Sequence, residues 1–129
     1  MSHFTTIQTQ IRDLDALGDA CHELGFNLNP NANCRGYAGV VRKAPHVIKL
    51  RGPYDIAVDP SPEKDGSHGL TTDWWDGHVA KEVGIGYGLL LQSYGVNKTL
   101  REARTRGLRT TRRVEADGSI LLTLEGGSL

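Results

Sequence analysis

His68, Asp73, Asp76 and His78 bring ligand-type side chains together within eleven residues, and imidazole with carboxylate is a donor set that suits zinc or iron. Their spacing lacks the fixed helical offset, such as i and i+4, that aims two imidazoles at one ion. Solvated loop residues and caps are therefore the favoured reading, and no metal or cofactor is expected. Gly84-Ile85-Gly86-Tyr87-Gly88 invites a phosphate-binding reading, because glycines let backbone amides approach an anion. A dinucleotide fingerprint has a different spacing, and a phosphate loop ends in Lys followed by Ser or Thr. Helix packing or a helix break accounts better for these glycines. No nucleophile elbow or Cys/His arrangement surrounds a Ser or Cys, so no catalytic residue is assigned. Cys21 falls at an apolar helical position, as a buried thiol would.

Seven basic residues, Lys98, Arg101, Arg104, Arg106, Arg109, Arg112 and Arg113, lie between positions 98 and 113 against one acid, Glu102, in a chain whose net charge is zero. They could contact phosphate backbones. The favoured alternatives are that Arg101 and Arg104 face an acidic stripe of Asp15, Asp19 and Glu23, or that they meet an acidic protein partner. Few aromatic residues flank the block, which disfavours nucleic acid. The other candidate contact is Trp74-Trp75. Neighbours in an extended segment point to opposite sides, which would send one indole into the core and leave the other to anchor a partner on the surface; the equally weighted alternative is that both are core residues at a loop-to-helix corner.

These side chains need a scaffold. At 129 residues the chain reads as one domain, 1–129, large enough to bury a core without disulfide or metal staples. No basic-plus-apolar leader and no membrane-length apolar run is visible, so a cytoplasmic protein without membrane contact is expected. Ser2 to Gln10 reads as a strand. Asp13 caps a helix whose Leu14, Leu17, Cys21 and Leu24 face the core, and Gly25 ends it. Phe26 to Leu28 forms a short strand closed by Asn29-Pro30-Asn31. Gly39 to Lys43, His46 to Arg51 and Tyr54 to Asp59 read as meander strands separated by Ala44-Pro45 and Gly52-Pro53. Pro60 to Gly69 has loop composition. Val79 to Gly107 keeps a helical rhythm that glycines break, and Asp117-Gly118 joins a final hairpin. The predicted fold is α+β: a two-layer sandwich of ferredoxin-like character, with two helices on one face of an antiparallel sheet.

Four segments, Met1 to Leu17, Arg35-Gly36-Tyr37-x-Gly39, Tyr54-Asp55-Ile56 and Asp73-Trp74-Trp75, resemble the family named after hypothetical chloroplast open reading frame thirty-five. A weaker likeness continues through Leu91-Gln92-x-Tyr94 and the Asp117-Gly118 hairpin. The chain departs from that pattern between Asp76 and Gly88, where glycines replace a more regular helix. The family has no assigned activity, so the resemblance supplies no catalytic residue. It implies a small soluble protein encoded near a AAA-type ATPase, and hence a non-catalytic adaptor. The residues offered to a protein partner are Trp74, Trp75, Arg101 and Arg104, and a homo-oligomer is compatible with the same surfaces. The alternative is a small enzyme or metal-binding protein using the His68 to His78 segment.

Overall fold

Asp13 opens the first helix through its own carboxylate, whose Oδ1 accepts the Ala16 N–H at 3.0 Å. In the computed structural model, which describes residues 3–126, this helix, α1, spans Leu14–Glu23 and follows strand β1, Thr5–Gln8. Ser2, at the start of the predicted first strand, lies outside the described residues. Leu17 and Cys21 are fully buried, while Asp15, Asp19 and Glu23 stay out of the core. The helix ends in a Schellman motif: Phe26 N–H donates to the Cys21 carbonyl and Gly25 N–H to that of His22, with Gly25 at φ +85°.

The sequence signals misplace the next strands. β2 runs Asn27–Arg35 straight through Asn29-Pro30-Asn31, and β3 runs Val41–Lys49 through Ala44-Pro45. The two form one hairpin, from Asn27 opposite Lys49 to Arg35 opposite Val41, in which Asn31 and Pro45 stand at the one unpaired position. Pro45 has no N–H to give and Asn31 sits at φ +46°, so both turn signals mark a single kink. Beyond it the side-chain alternation is reset. Ala32, Cys34 and Ala44 from the outer half of the hairpin pack with Val47 and Ala57 in a small second cluster, opposite the main core.

β4, Ile56–Pro60, and β5, His68–Thr72, follow. β5 corrects the assignment of Pro60 to Gly69 to a loop; only residues 61–67 connect the strands, closed by a Ser61 N–H bond to the Ser67 carbonyl at 2.9 Å. The sheet order is β1-β5-β4-β3-β2 with every neighbour antiparallel. This is a meander with β1 added to its end. It departs from the ferredoxin-like expectation, in which a split β-α-β unit has one antiparallel strand between the two strands its helix joins; here α1 joins β1 to β2, and three strands lie between them.

α2, Ala80–Val83, and α3, Gly88–Thr105, replace the one long helix, broken where Gly84 (φ +85°), Gly86 (φ +60°) and Tyr87 (φ +65°) leave helical geometry. Leu17 and Cys21 of α1, Val83 of α2 and Leu90 of α3 pack on Ile48, Ile56, Val58 and Leu70 of the sheet, so the helices share one face. β6, Arg109–Val114, and β7, Ile120–Glu125, pair as a separate hairpin. Its turn is the one Asp117-Gly118 predicts: Gly118, at φ +88°, donates to the Glu115 carbonyl, and Glu115 N–H to that of Ser119. Among the described residues no helix is long and apolar enough to cross a membrane.

Candidate functional site

Three sequence segments that look independent meet at one end of the sheet. Asp55, immediately before β4, is completely buried and is the hub. Its carboxylate accepts from the Arg35 N–H at 3.0 Å, from Arg35 Nε and Nη2 at 2.8 Å each, from the Leu50 N–H at 3.1 Å and from Lys49 Nζ at 3.3 Å. Burial pushes such a carboxyl up, but the Arg35 bonds and the two amides outweigh it and hold Asp55 below the usual value. The same bonds raise Arg35. Asp55 also closes the backbone, donating its N–H to the Arg35 carbonyl and accepting the Thr72 hydroxyl on its carbonyl at 2.8 Å. The end of β2 is thereby tied to the ends of β4 and β5.

Asp73, next after β5, makes the second clamp. Its carboxylate accepts the Tyr37 N–H at 3.2 Å and the Trp75 N–H at 3.0 Å, which brings the 3-10 turn Tyr37–Gly39 against the 3-10 turn Trp75–Gly77. Tight turns at this junction require positive φ at Gly39 (+78°) and Gly77 (+70°). Close approach matters at Gly36, where a Cβ would lie 2.7 Å from the Phe4 ring. The two clamps set the aromatic rings. Tyr37 and Trp75 lie 5.2 Å apart at 60°, Trp74 and Tyr87 4.8 Å apart at 66°, and Tyr54 meets His78 edge-on at 5.3 Å. A hollow of about 200 Å³ lies beside Tyr37, between Phe4, Val40 and Asp73.

The two tryptophans take different environments. Trp74 is partly buried against the core, whereas Trp75 is 44% exposed and its neighbour Tyr37 39% exposed. Arg101 bonds Asp19 through Nε at 2.6 Å, and Arg112 bonds Glu23 through Nη1 at 2.6 Å, so α1, α3 and β6 are joined by charge. Those bonds hold both carboxyls below their usual values. Lys98, Arg109 and Arg113 are also paired, to Asp13 and Glu102, Glu125 and Glu115 respectively. Arg104 makes no ion pair among the described residues. It lines an open groove of about 610 Å³ with Asp19, His22, Glu23 and Arg101, a surface of mixed charge.

The His68 to His78 segment does not converge. His68 lies in β5 with Nδ1 bonded to the Ile11 carbonyl at 3.0 Å, and Asp73 is occupied by two amides, leaving only an Asp76–His78 contact at 3.7 Å. Among the described residues no three His, Cys, Asp or Glu side chains are grouped to hold a metal ion. Burial pushes the Cys21 and Cys34 thiols up to about 12, so neither is a nucleophile near neutral pH. Sequence reasoning assigned no role to Tyr37 or Asp55 and weighed Asp73 only as a metal ligand, not as the clamp it is. Their only local signal is their place in the short segments around Arg35, Tyr54 and Asp73, because the contacts that unite them span long sequence separations.

No curated protein matches the chain, and no solved structure does. A family profile described as "Protein of unknown function (DUF1257)" matches residues 20–123, a span that begins inside α1 and contains the Arg35–Asp55 hub, the Asp73 clamp and both tryptophans. The match covers most of the chain, and the protein therefore belongs to the DUF1257 family.

Proposed function

We propose that the protein is a non-catalytic adaptor and that the Tyr37–Trp75 face is where it grips another protein. One observation carries this reading: Tyr37 and Trp75, each exposed over roughly two fifths of its surface, pack their rings against each other at 60° while Asp73 holds the backbone N–H of both. Large rings already held in place lose little conformational freedom on binding, which is why tryptophan and tyrosine dominate interface energetics. Exposed Val40 extends the apolar surface, and the exposed Asp76 carboxylate at its rim favours a partner with a basic residue beside an apolar pocket. Trp74 is the support rather than the contact, because it packs on Tyr87. Of Arg101 and Arg104, Arg104 is left for an acidic group on the partner, while Arg101 is held by Asp19.

The resemblance to the open-reading-frame-thirty-five family makes a AAA-type ATPase the first partner to test, and a single-domain cytoplasmic protein fits that role. The test is calorimetric titration of the protein into a AAA-type ATPase from the same cell, using wild type, Trp75→Ala and Trp74→Ala. Trp75→Ala should weaken binding at least tenfold while changing stability by no more than about 0.5 kcal/mol. Trp74→Ala should cost about 2–3 kcal/mol of stability, less than the ~3–5 kcal/mol of a fully buried aromatic. Failure of the wild type to bind rejects the ATPase as partner. Binding that survives the loss of both Tyr37 and Trp75 rejects the face.

A further inference from the structure

The five-stranded sheet has two edges, and only one is guarded. At the β2 edge, Pro30 lacks an N–H, Asn31 leaves strand geometry at φ +46° and the strand ends in the charged Arg35, all devices that discourage a further strand. β1, at the other edge, is Thr5-Thr6-Ile7-Gln8: no proline, no charge, no positive φ, and every residue exposed. Its hydrogen-bonding direction follows from the ladder. Thr9 N–H donates to the His68 carbonyl, so alternation along an antiparallel pair turns Thr9, Ile7 and Thr5 towards β5 and leaves the N–H and C=O of Thr6 and Gln8 pointing out of the sheet.

The surface beside this edge is apolar. Ile7 stands opposite Leu70 on the helix-covered side, yet is 43% exposed. It borders a hollow of about 280 Å³ lined also by Ile11, Leu91 and Tyr94 and by the uncharged Gln8 and Gln10. Tyr94 is fixed there, its hydroxyl accepting the Arg12 and Asp13 amides at 3.2 Å each. A single exposed isoleucine needs no explanation. An exposed isoleucine on an unguarded strand edge, next to a rigid apolar hollow, does.

We propose that β1 is the pairing edge of a twofold-symmetric homodimer, in which β1 of one copy adds antiparallel to β1 of a second. The register is determined by which groups are free. Only Thr6 and Gln8 offer outward bonds, and the twofold that uses all of them sets Thr6 of one copy opposite Gln8 of the other. Ile7 then faces Ile7 as a non-hydrogen-bonded pair, with Cα atoms about 4.5 Å apart and the side chains at their closest. A foreign extended peptide would also satisfy the edge. The second copy is favoured because the edge is self-complementary: apolar meets apolar at the axis, an uncharged strand meets no repulsion from its own image, and symmetry makes every contact twice.

Sedimentation equilibrium of the full chain over micromolar concentrations tests this. Wild type should sediment at twice the mass of the chain. Gln8→Pro should be monomeric with an unchanged circular dichroism spectrum, because the Gln8 N–H points away from β5 and its loss removes no bond within one copy. Ile7→Lys should also be monomeric, through two ammonium groups at the axis. Ile7→Cys should give a disulfide-linked dimer under mild oxidation, since the paired Cα atoms fall within the ~4.4–6.8 Å that a disulfide spans, while Gln8→Cys should not. A monomeric wild type overturns the proposal, including one that captures a synthetic extended peptide instead. So does a dimer that survives both Gln8→Pro and Ile7→Lys, or equal cross-linking at positions 7 and 8.

Discussion

Replacing Asp55 by Ala should destabilise the protein by about 3–5 kcal/mol, more than removing any exposed ion pair in the molecule. The magnitude follows from what each donor can do once the carboxylate is gone. Arg35 and Lys49 are 44% and 30% exposed at the side chain and can turn to water, so their share is screened to about 1 kcal/mol or less apiece. The Leu50 N–H sits in a buried environment and the Arg35 N–H in a partly buried one. Neither has another acceptor among the described residues, and each unsatisfied donor costs about 1–3 kcal/mol. Asp55→Asn keeps one acceptor oxygen but turns an NH2 group towards the guanidinium, so it should fall lower, at about 2–3 kcal/mol.

The assay is urea unfolding followed by tryptophan fluorescence and circular dichroism. It carries a pH signature. Asp55 is held below its ordinary value of 3.8 in the fold, so its contribution is complete above that value and is lost as pH falls through the folded pKa. The gap between wild type and Asp55→Asn should therefore be constant from about pH 5 to 8 and narrow as the pH falls below 3.8. A cost below about 1 kcal/mol for Asp55→Ala, or a gap that does not narrow in acid, would refute the view that this charge holds β2, β4 and β5 together.

Two further perturbations probe other joints. Gly84 combines φ +85° and ψ 162° with a Cβ position 2.8 Å from the Leu89 nitrogen, so Gly84→Ala should cost about 2–3 kcal/mol and lower the melting temperature, whereas Gly95→Ala, in open space within α3, should be neutral or stabilising. Removing Arg101 deprives Asp19 of the side-chain bond that lowers it, so Arg101→Ala should raise the Asp19 pKa, as read from carbon chemical shifts in an NMR titration; an unchanged value would mean that the pair does not persist in solution.

What could be read from the sequence was what neighbouring residues decide among themselves. The Asp13 cap, the stripe of Leu17 and Cys21, the Gly25 stop and the Asp117-Gly118 turn each act within one helical turn or one hairpin, and all appear where their chemistry puts them. The glycine break before α3 is local in the same sense. The β2–β3 hairpin was hidden because Asn29-Pro30-Asn31 and Ala44-Pro45, each a turn signal alone, stand opposite one another at one kink. β5 was hidden because His68-Gly69-Leu70-Thr71-Thr72 has little strand character of its own; pairing with β1 and β4 on both sides makes it a strand. The candidate site was legible as strings but not as a place. Its defining bonds, Arg35 to Asp55 and Tyr37 to Asp73, link residues 20 and 36 positions apart, and no local pattern encodes them.

Where the chemistry-bearing groups are spent bears on function. A carboxylate surrounded by donors and held below its ordinary pKa is a poor general base, which describes Asp55, and Asp73 is filled by the amides of Tyr37 and Trp75. The thiols are buried and stay protonated. Exposed ring surface remains at this end of the sheet, and under the proposed reading it is what a partner would contact. β1 extends the argument, because Thr5 stands opposite Thr72, one residue before Asp73, and Phe4 lies against Gly36 beside Tyr37. Antiparallel pairing of two β1 strands would therefore carry two Tyr37–Trp75 faces at opposite ends of one joined sheet. An adaptor so built engages a partner twice, and the second contact forms at an effective concentration set by the rigid sheet rather than by free diffusion. Gln8→Pro then becomes a test of both readings at once: it should leave the affinity of a single face intact and abolish only the avidity towards a partner that is itself oligomeric.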